Sequence, residues 1–149
     1  LLGDPSSQER TLLGAIPYRR NEAVLHTDST LLPRRRGARA AWNFHLLCEP
    51  KPLSTVTYYM NHLQRLDADC DYCVTLNRTE AIDPEKIIRT ISYSHPVYTP
   101  AGLAAQSQHA SISGLASRTH YCGAYWGWGF HEDGVVSALR ACAPFGVKL

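Results

Sequence analysis

The chain has 149 residues, 44% of them hydrophobic, which suffices for one domain with a substantial core. Its net charge is only +2, so no polyelectrolyte argument for a nucleic-acid partner exists. No run approaches the length of a membrane span, no secretory signal is expected, and five irregularly spaced cysteines suit a reducing cytoplasm better than a secreted disulfide framework.

The chain opens Leu-Leu-Gly-Asp-Pro without an initiator Met and already inside a helix-like pattern, which reads as the middle of a longer protein. Asp4 is the expected cap of a first helix with Pro5 at its first position, Leu12 and Leu13 as apolar contacts and Gly14 as its stop. Ile16 to Tyr18 and Ala23 to Thr27 read as strands, with a turn at Asp28-Ser29. His26 in the second strand is either a site residue or a hydrogen-bonded structural histidine. Leu31-Leu-Pro-Arg-Arg-Arg36 joins an apolar pair to a basic triplet, too short for a polybasic membrane anchor and suited to a solvated turn.

Further strands are expected at Ala40 to Leu47, Ser54 to Met60 and Tyr72 to Leu76, with a polar turn or helix reaching Leu66. The β-branched residues from Ile87 to Tyr93 favour strand over helix. Ala101 to Gln108 suits a short helix. Thr119 to Tyr125 then reads as a buried strand, followed by a glycine-punctuated turn in which Gly127 and Gly129 alternate with Trp126 and Trp128. Glu132 and Asp133 belong in a first helical turn, and Val135, Ala138, Leu139 and Cys142 form one apolar stripe. Strand, turn and helix N-terminus suit a phosphate or a polarised ring oxygen. The same residues also suit a tight strand-to-helix connection packed with aromatics.

Two other constellations bear on chemistry. Cys70-Asp-Tyr-Cys73 has the spacing of a zinc knuckle or redox pair, but no second such pair exists, so no metal is assigned. Cys122 with His120 or His131 would be a nucleophile pair, His120 and Cys122 sharing a face in a strand, although no partner acid is specified. No G-x-G-x-x-G or P-loop motif occurs.

Several blocks, in matching order over nearly the whole chain, resemble bacterial predicted NAD/FAD-binding proteins of the flavin-dependent amine oxidase superfamily. They are Asn21-Glu-Ala-Val-Leu-His-Thr-Asp28, Leu31-Leu-Pro-Arg-Arg-Arg36, Ala41-Trp-Asn43, Tyr72-Cys-Val-Thr-Leu-Asn77, His95-Pro-Val97 and Cys122-Gly-Ala-Tyr-Trp-Gly-Trp-Gly-Phe-His-Glu-Asp-Gly-Val135. The resemblance implies an α+β fragment of a longer chain whose N-terminal half carries the dinucleotide fingerprint. Residues 1–98 would be part of the substrate-binding domain, with a partial sheet. Residues 99–149 would return as the strand and helix that complete a Rossmann-like FAD domain.

By the same resemblance Gly123 matches a strand-end glycine, while Gly134-Val135 and Ser137 match the helix opening, where backbone N–H would face the flavin pyrimidine oxygen. Ala124 stands where a ribityl-contacting acid is common, and Phe130-His131-Glu132 replaces a small loop, so His131 would approach the cofactor. The implied cofactor-binding residues are therefore Gly123, Ala124, Tyr125, Gly127, Gly129, Phe130, His131, Gly134 and Val135. Trp42, Trp126 and Trp128 would wall the substrate, a small organic or lipid-like molecule giving hydride to FAD; no catalytic residue is assigned. Alone, the fragment would be inactive. A non-catalytic interaction module retaining the fold without flavin is the rival expectation, and a zinc-binding module a third.

Overall fold

The computed structural model describes residues 2–49, 52–114 and 118–146. The fold is α+β, and the described residues form four α-helices and a five-stranded antiparallel sheet. The helices are α1 (Ser7–Gly14), α2 (Met60–Gln64), α3 (Pro100–Gln106) and α4 (His131–Cys142). The strands are β1 (Tyr18–His26), β2 (Trp42–Phe44), β3 (Val56–Tyr59), β4 (Cys73–Leu76) and β5 (Ile87–Pro96), ordered β2-β3-β4-β1-β5. The chain forms two compact units, residues 20–94 and residues 1–19 with 95–149. It passes between them inside β1 and again inside β5.

In the unit of residues 20–94, the pairing register fixes which side chains face inward. Val24 lies opposite Thr75, His26 opposite Cys73, Thr57 opposite Thr75, and Asn43 opposite Thr57. Directly opposed residues share a sheet face, so these positions form one row, and all are buried. Val24 packs with Leu31 and Ile82, from the short turns after β1 and β4, which cover that face. Asp28 caps the first of these turns by accepting from Thr30 N–H at 3.1 Å. A half-polar row of His, Thr, Thr and Asn is unusual for a core and tolerable only when hydrogen-bonded throughout.

In the other unit the core is Leu12, Ile16, Ala105, Ile112 and Trp126, flanked by Leu13, Ala15, Tyr121 and Tyr125. Helix α1 begins two residues later than the Asp-Pro signal suggests. Ser6 is the cap, accepting from Glu9 N–H while the Glu9 carboxylate accepts from Ser6 N–H, a reciprocal box that satisfies two N–H groups at once. Thr99 caps α3 through Gly102 N–H, with Pro100 in the first turn.

The expected strand over Thr119 to Tyr125 is corrected. Thr119 makes a single bridge to Gly114, and Ala124–Trp126 is a 3-10 turn. Gly123 interrupts any extended run, at φ +151°, and a Cβ there would collide with the Tyr125 ring, which folds back over it. The two expected strands before residue 28 are one, β1, because its pairing with β4 and β5 carries it through the polar stretch. No helix among the described residues is long and apolar enough to cross a membrane.

Candidate functional site

The glycine-rich segment and α4 form one local assembly. Asp133, in the first turn of α4, accepts from Trp128 N–H at 3.0 Å and Phe130 N–H at 2.9 Å. Its carboxylate thus organises the turn and sits where the helix dipole favours negative charge. The first intrahelical bond runs from Gly134 N–H to Phe130 O at 3.3 Å, so the N–H groups of residues 131–133 precede the ladder. Ser137, buried one turn on, accepts from Gly123 N–H at 3.0 Å. Gln106 on α3 donates to Tyr125 O and Gly127 O, both at 2.8 Å, pinning the other side of the turn.

The expected cofactor residues divide by what their packing requires. Gly127 is required by Asp133, whose carboxylate a Cβ would strike. Gly129, at φ +88°, lies against the Tyr98 hydroxyl. Gly134 differs: a Cβ there would meet only Ala124, at 3.9 Å, so no contact among the described residues demands a glycine. Phe130, His131 and Val135 are exposed around the helix opening. Tyr125 is partly buried, and burial first, with nearby Tyr18 and Cys122, raises its hydroxyl pKa despite the neighbouring Trp126 indole. That indole Nε1 is buried and does not reach hydrogen-bond geometry with any described group.

The expected substrate residues part company. Trp126 is 7% exposed, a core residue set edge-on to His109 with ring centroids 4.6 Å apart. Trp128 is 66% exposed and tilted against Tyr98 at 6.2 Å. Trp42 is exposed on β2, in the unit of residues 20–94. His109 Nε2 pairs with Tyr121 O at 2.7 Å, so this histidine is structural.

The cysteines of the two constellations sit in different surroundings. Cys70 is exposed, whereas Cys73 is fully buried on β4, and burial pushes its thiol up to about 12, well away from thiolate chemistry at neutral pH. Among the described residues no three His, Cys, Asp or Glu side chains gather as metal ligands do. His120 packs against Phe145 at 5.0 Å, and the irregular chain around Cys122 does not give the shared strand face that pairing would use.

Two features escape a linear reading. Asp71 is held by the Tyr59 hydroxyl at 2.7 Å and by Arg39 at 2.9 Å, and these partners lower its pKa. The second is the buried row led by His26, whose Nε2 lies 2.8 Å from Thr75 Oγ1. Its only signal in the sequence is threonine at alternate positions, Thr55 and Thr57 in one run and Thr75 in another, with His45 and His26 in neighbouring runs. No protein-family model matches the chain, and no curated protein matches it.

Proposed function

We propose that this chain is the C-terminal part of an FAD-dependent oxidoreductase of the amine oxidase type, acting in the cytoplasm on a small organic or lipid-like substrate. In this reading residues 1–98 contribute to the substrate domain and residues 99–149 complete a Rossmann-like FAD domain. The observation that carries it is Gly134, a glycine in the first turns of a twelve-residue helix whose missing Cβ no contact among the described residues explains. A helix-interior glycine costs roughly 0.5–1 kcal/mol relative to alanine, so an uncompensated one implies close approach of something else.

The surrounding residues fit a flat, electron-rich partner. The N-terminal end of α4 would hold a ring oxygen near Val135 and stabilise negative charge there. Trp128 and Phe130, 66% and 68% exposed beside that end, would cover a planar ring and exclude water. Ser137, through Gly123, keeps the turn seated against the helix. FAD, when bound, would supply the hydride acceptor. Gly123, Gly127 and Gly129 serve the shape of the turn, and Trp126 serves the core; their part is to place the others.

The interaction-module reading draws on α4 itself, where Val135 and Val136 are 45% and 44% exposed on an apolar surface. An absorption spectrum of the full native protein purified without added cofactor separates the two. Flavin bands with about one FAD per chain support the oxidoreductase. A colourless, folded protein that takes up no added FAD supports the module.

A further inference from the structure

The buried polar row of residues 20–94 is a continuous hydrogen-bonded chain. Asp28 N–H reaches His26 Nδ1 at 3.1 Å, and His26 Nε2 lies 2.8 Å from Thr75 Oγ1. Thr75 Oγ1 is 2.8 Å from Thr57 Oγ1, which is 2.7 Å from His45 Nε2. His26, Thr75 and Thr57 are fully buried, and His45 is half-buried.

One fixed donor sets the direction of every link. A backbone N–H can only donate, so His26 Nδ1 accepts and the neutral ring carries its proton on Nε2. That N–H donates to Thr75. The Thr75 hydroxyl, already accepting, turns its hydrogen to Thr57, and Thr57 turns its own to His45. His45 Nε2 therefore accepts, and its proton lies on Nδ1. Reversing the chain would set two donors face to face at His26 or leave a buried hydroxyl without an acceptor, at a cost of roughly 1–3 kcal/mol.

The outward nitrogen of His45 is thus a donor, and it has no partner among the described residues. His45 lines a cleft of about 320 Å³ with Phe44, Leu46, Leu47, Leu53 and Thr55. That volume is at the small end of ligand-sized cavities. Burial and the positive charge of Arg78 hold the His45 pKa below its ordinary value, so the ring is neutral at pH 7. An apolar wall, an outward N–H donor and a positive field define a complementary ligand: an apolar body ending in an anionic acceptor.

We propose that this cleft binds a small free carboxylate with an aliphatic body, its head on His45 Nδ1–H in the field of Arg78 and its body against Phe44, Leu47 and Leu53. The site is independent of flavin, so its test stands apart from the oxidoreductase reading.

The experiment is a titration of ¹⁵N-labelled protein with octanoate, followed through the imidazole nitrogens, with octanol and acetate as controls. Before ligand, His26 should show the Nε2–H form and His45 the Nδ1–H form. Octanoate should shift the His45 signals saturably, at least about tenfold more tightly than either control, a ratio equivalent to one good hydrogen bond. Arg78→Gln, at a position outside the buried row, should weaken octanoate severalfold without changing the tautomers. Thr57→Val should release His45 into mixed tautomers and weaken octanoate too. A His45 Nε2–H form in the native protein overturns the proposal. So does the absence of a saturable shift at millimolar octanoate, or an equal response to octanol.

Discussion

Ser137 Oγ accepts the Gly123 N–H at 3.0 Å, tying the turn that precedes α4 to the buried face of that helix. Ser137→Ala leaves this N–H without its acceptor. The expected cost is about 1 kcal/mol, measured as a lower urea midpoint with unchanged slope. A midpoint equal to that of the wild type would mean that the turn stays seated without this bond.

On the flavoprotein proposal, substitutions at Gly134 should act differently on stability and on cofactor binding. Its substitution by alanine introduces a Cβ at ordinary contact distance, 3.9 Å from Ala124, and removes the backbone freedom of glycine from a helix. Gly134→Ala should therefore stabilise the isolated chain by roughly 0.5–1 kcal/mol. In the full native protein, Gly134→Val should lower the flavin content per chain after gel filtration, because the larger side chain fills the approach to the helix opening. Unchanged flavin in a folded Gly134→Val protein would remove this glycine from the site.

Asp28 contributes a defined part of the acid dependence of stability. Burial alone would raise its pKa, but Asp83 N–H, the hydroxyl and N–H of Thr30, and the Lys86 charge outweigh it and hold the group at about 2. The folded value lies below the unfolded one, so the stabilisation is fully present above about pH 4. It is lost as pH falls towards 2, and amounts to about 2 kcal/mol. Asp28→Asn should abolish that part of the pH dependence in urea unfolding between about pH 5 and 2, where the unfolded-state carboxyl and then the folded-state one take up a proton. Parallel wild-type and mutant curves there would contradict the assignment.

The two cysteines of the CxxC spacing should behave differently. Cys70 is exposed, so Cys70→Ser should change stability by less than about 0.5 kcal/mol. Cys73 is fully buried opposite His26, and Cys73→Ser places a hydroxyl there at a cost of roughly 1–3 kcal/mol. Thermal melts and metal analysis of both variants check this; loss of an equivalent of zinc from either would restore the metal reading.

Strands β3, β4 and β5 and helices α3 and α4 were legible because their β-branched runs, prolines and capping residues act locally. The α1 helix was legible but its cap was misplaced: the Asp4-Pro5 signal drew it two residues early, and the cap is Ser6, boxed with Glu9. What a linear reading misses is set by tertiary partners. Residues 119–125 look like a strand, yet Tyr125 closes over Gly123 and the chain turns. Helix α4 has its apolar stripe at Val135 and Ala138, but the face it buries carries Ser137. That side chain ties the helix to the turn's backbone through Gly123 N–H, and hydrophobic periodicity does not register it. The row from His26 to His45 depends on strand register, which no single run contains.

The central claim is that this chain supplies the flavin-facing helix end while the rest of the FAD cradle lies elsewhere in the protein. The most direct measurement is a paired equilibrium titration with FAD, following flavin fluorescence, of the full native protein stripped of cofactor and of the 149-residue chain alone. The account predicts stoichiometric binding by the full protein and weak or no binding by the isolated chain, which should tend to aggregate through its exposed apolar helix face. Stoichiometric micromolar binding by a monodisperse isolated chain, or no binding by the folded full protein, would contradict it.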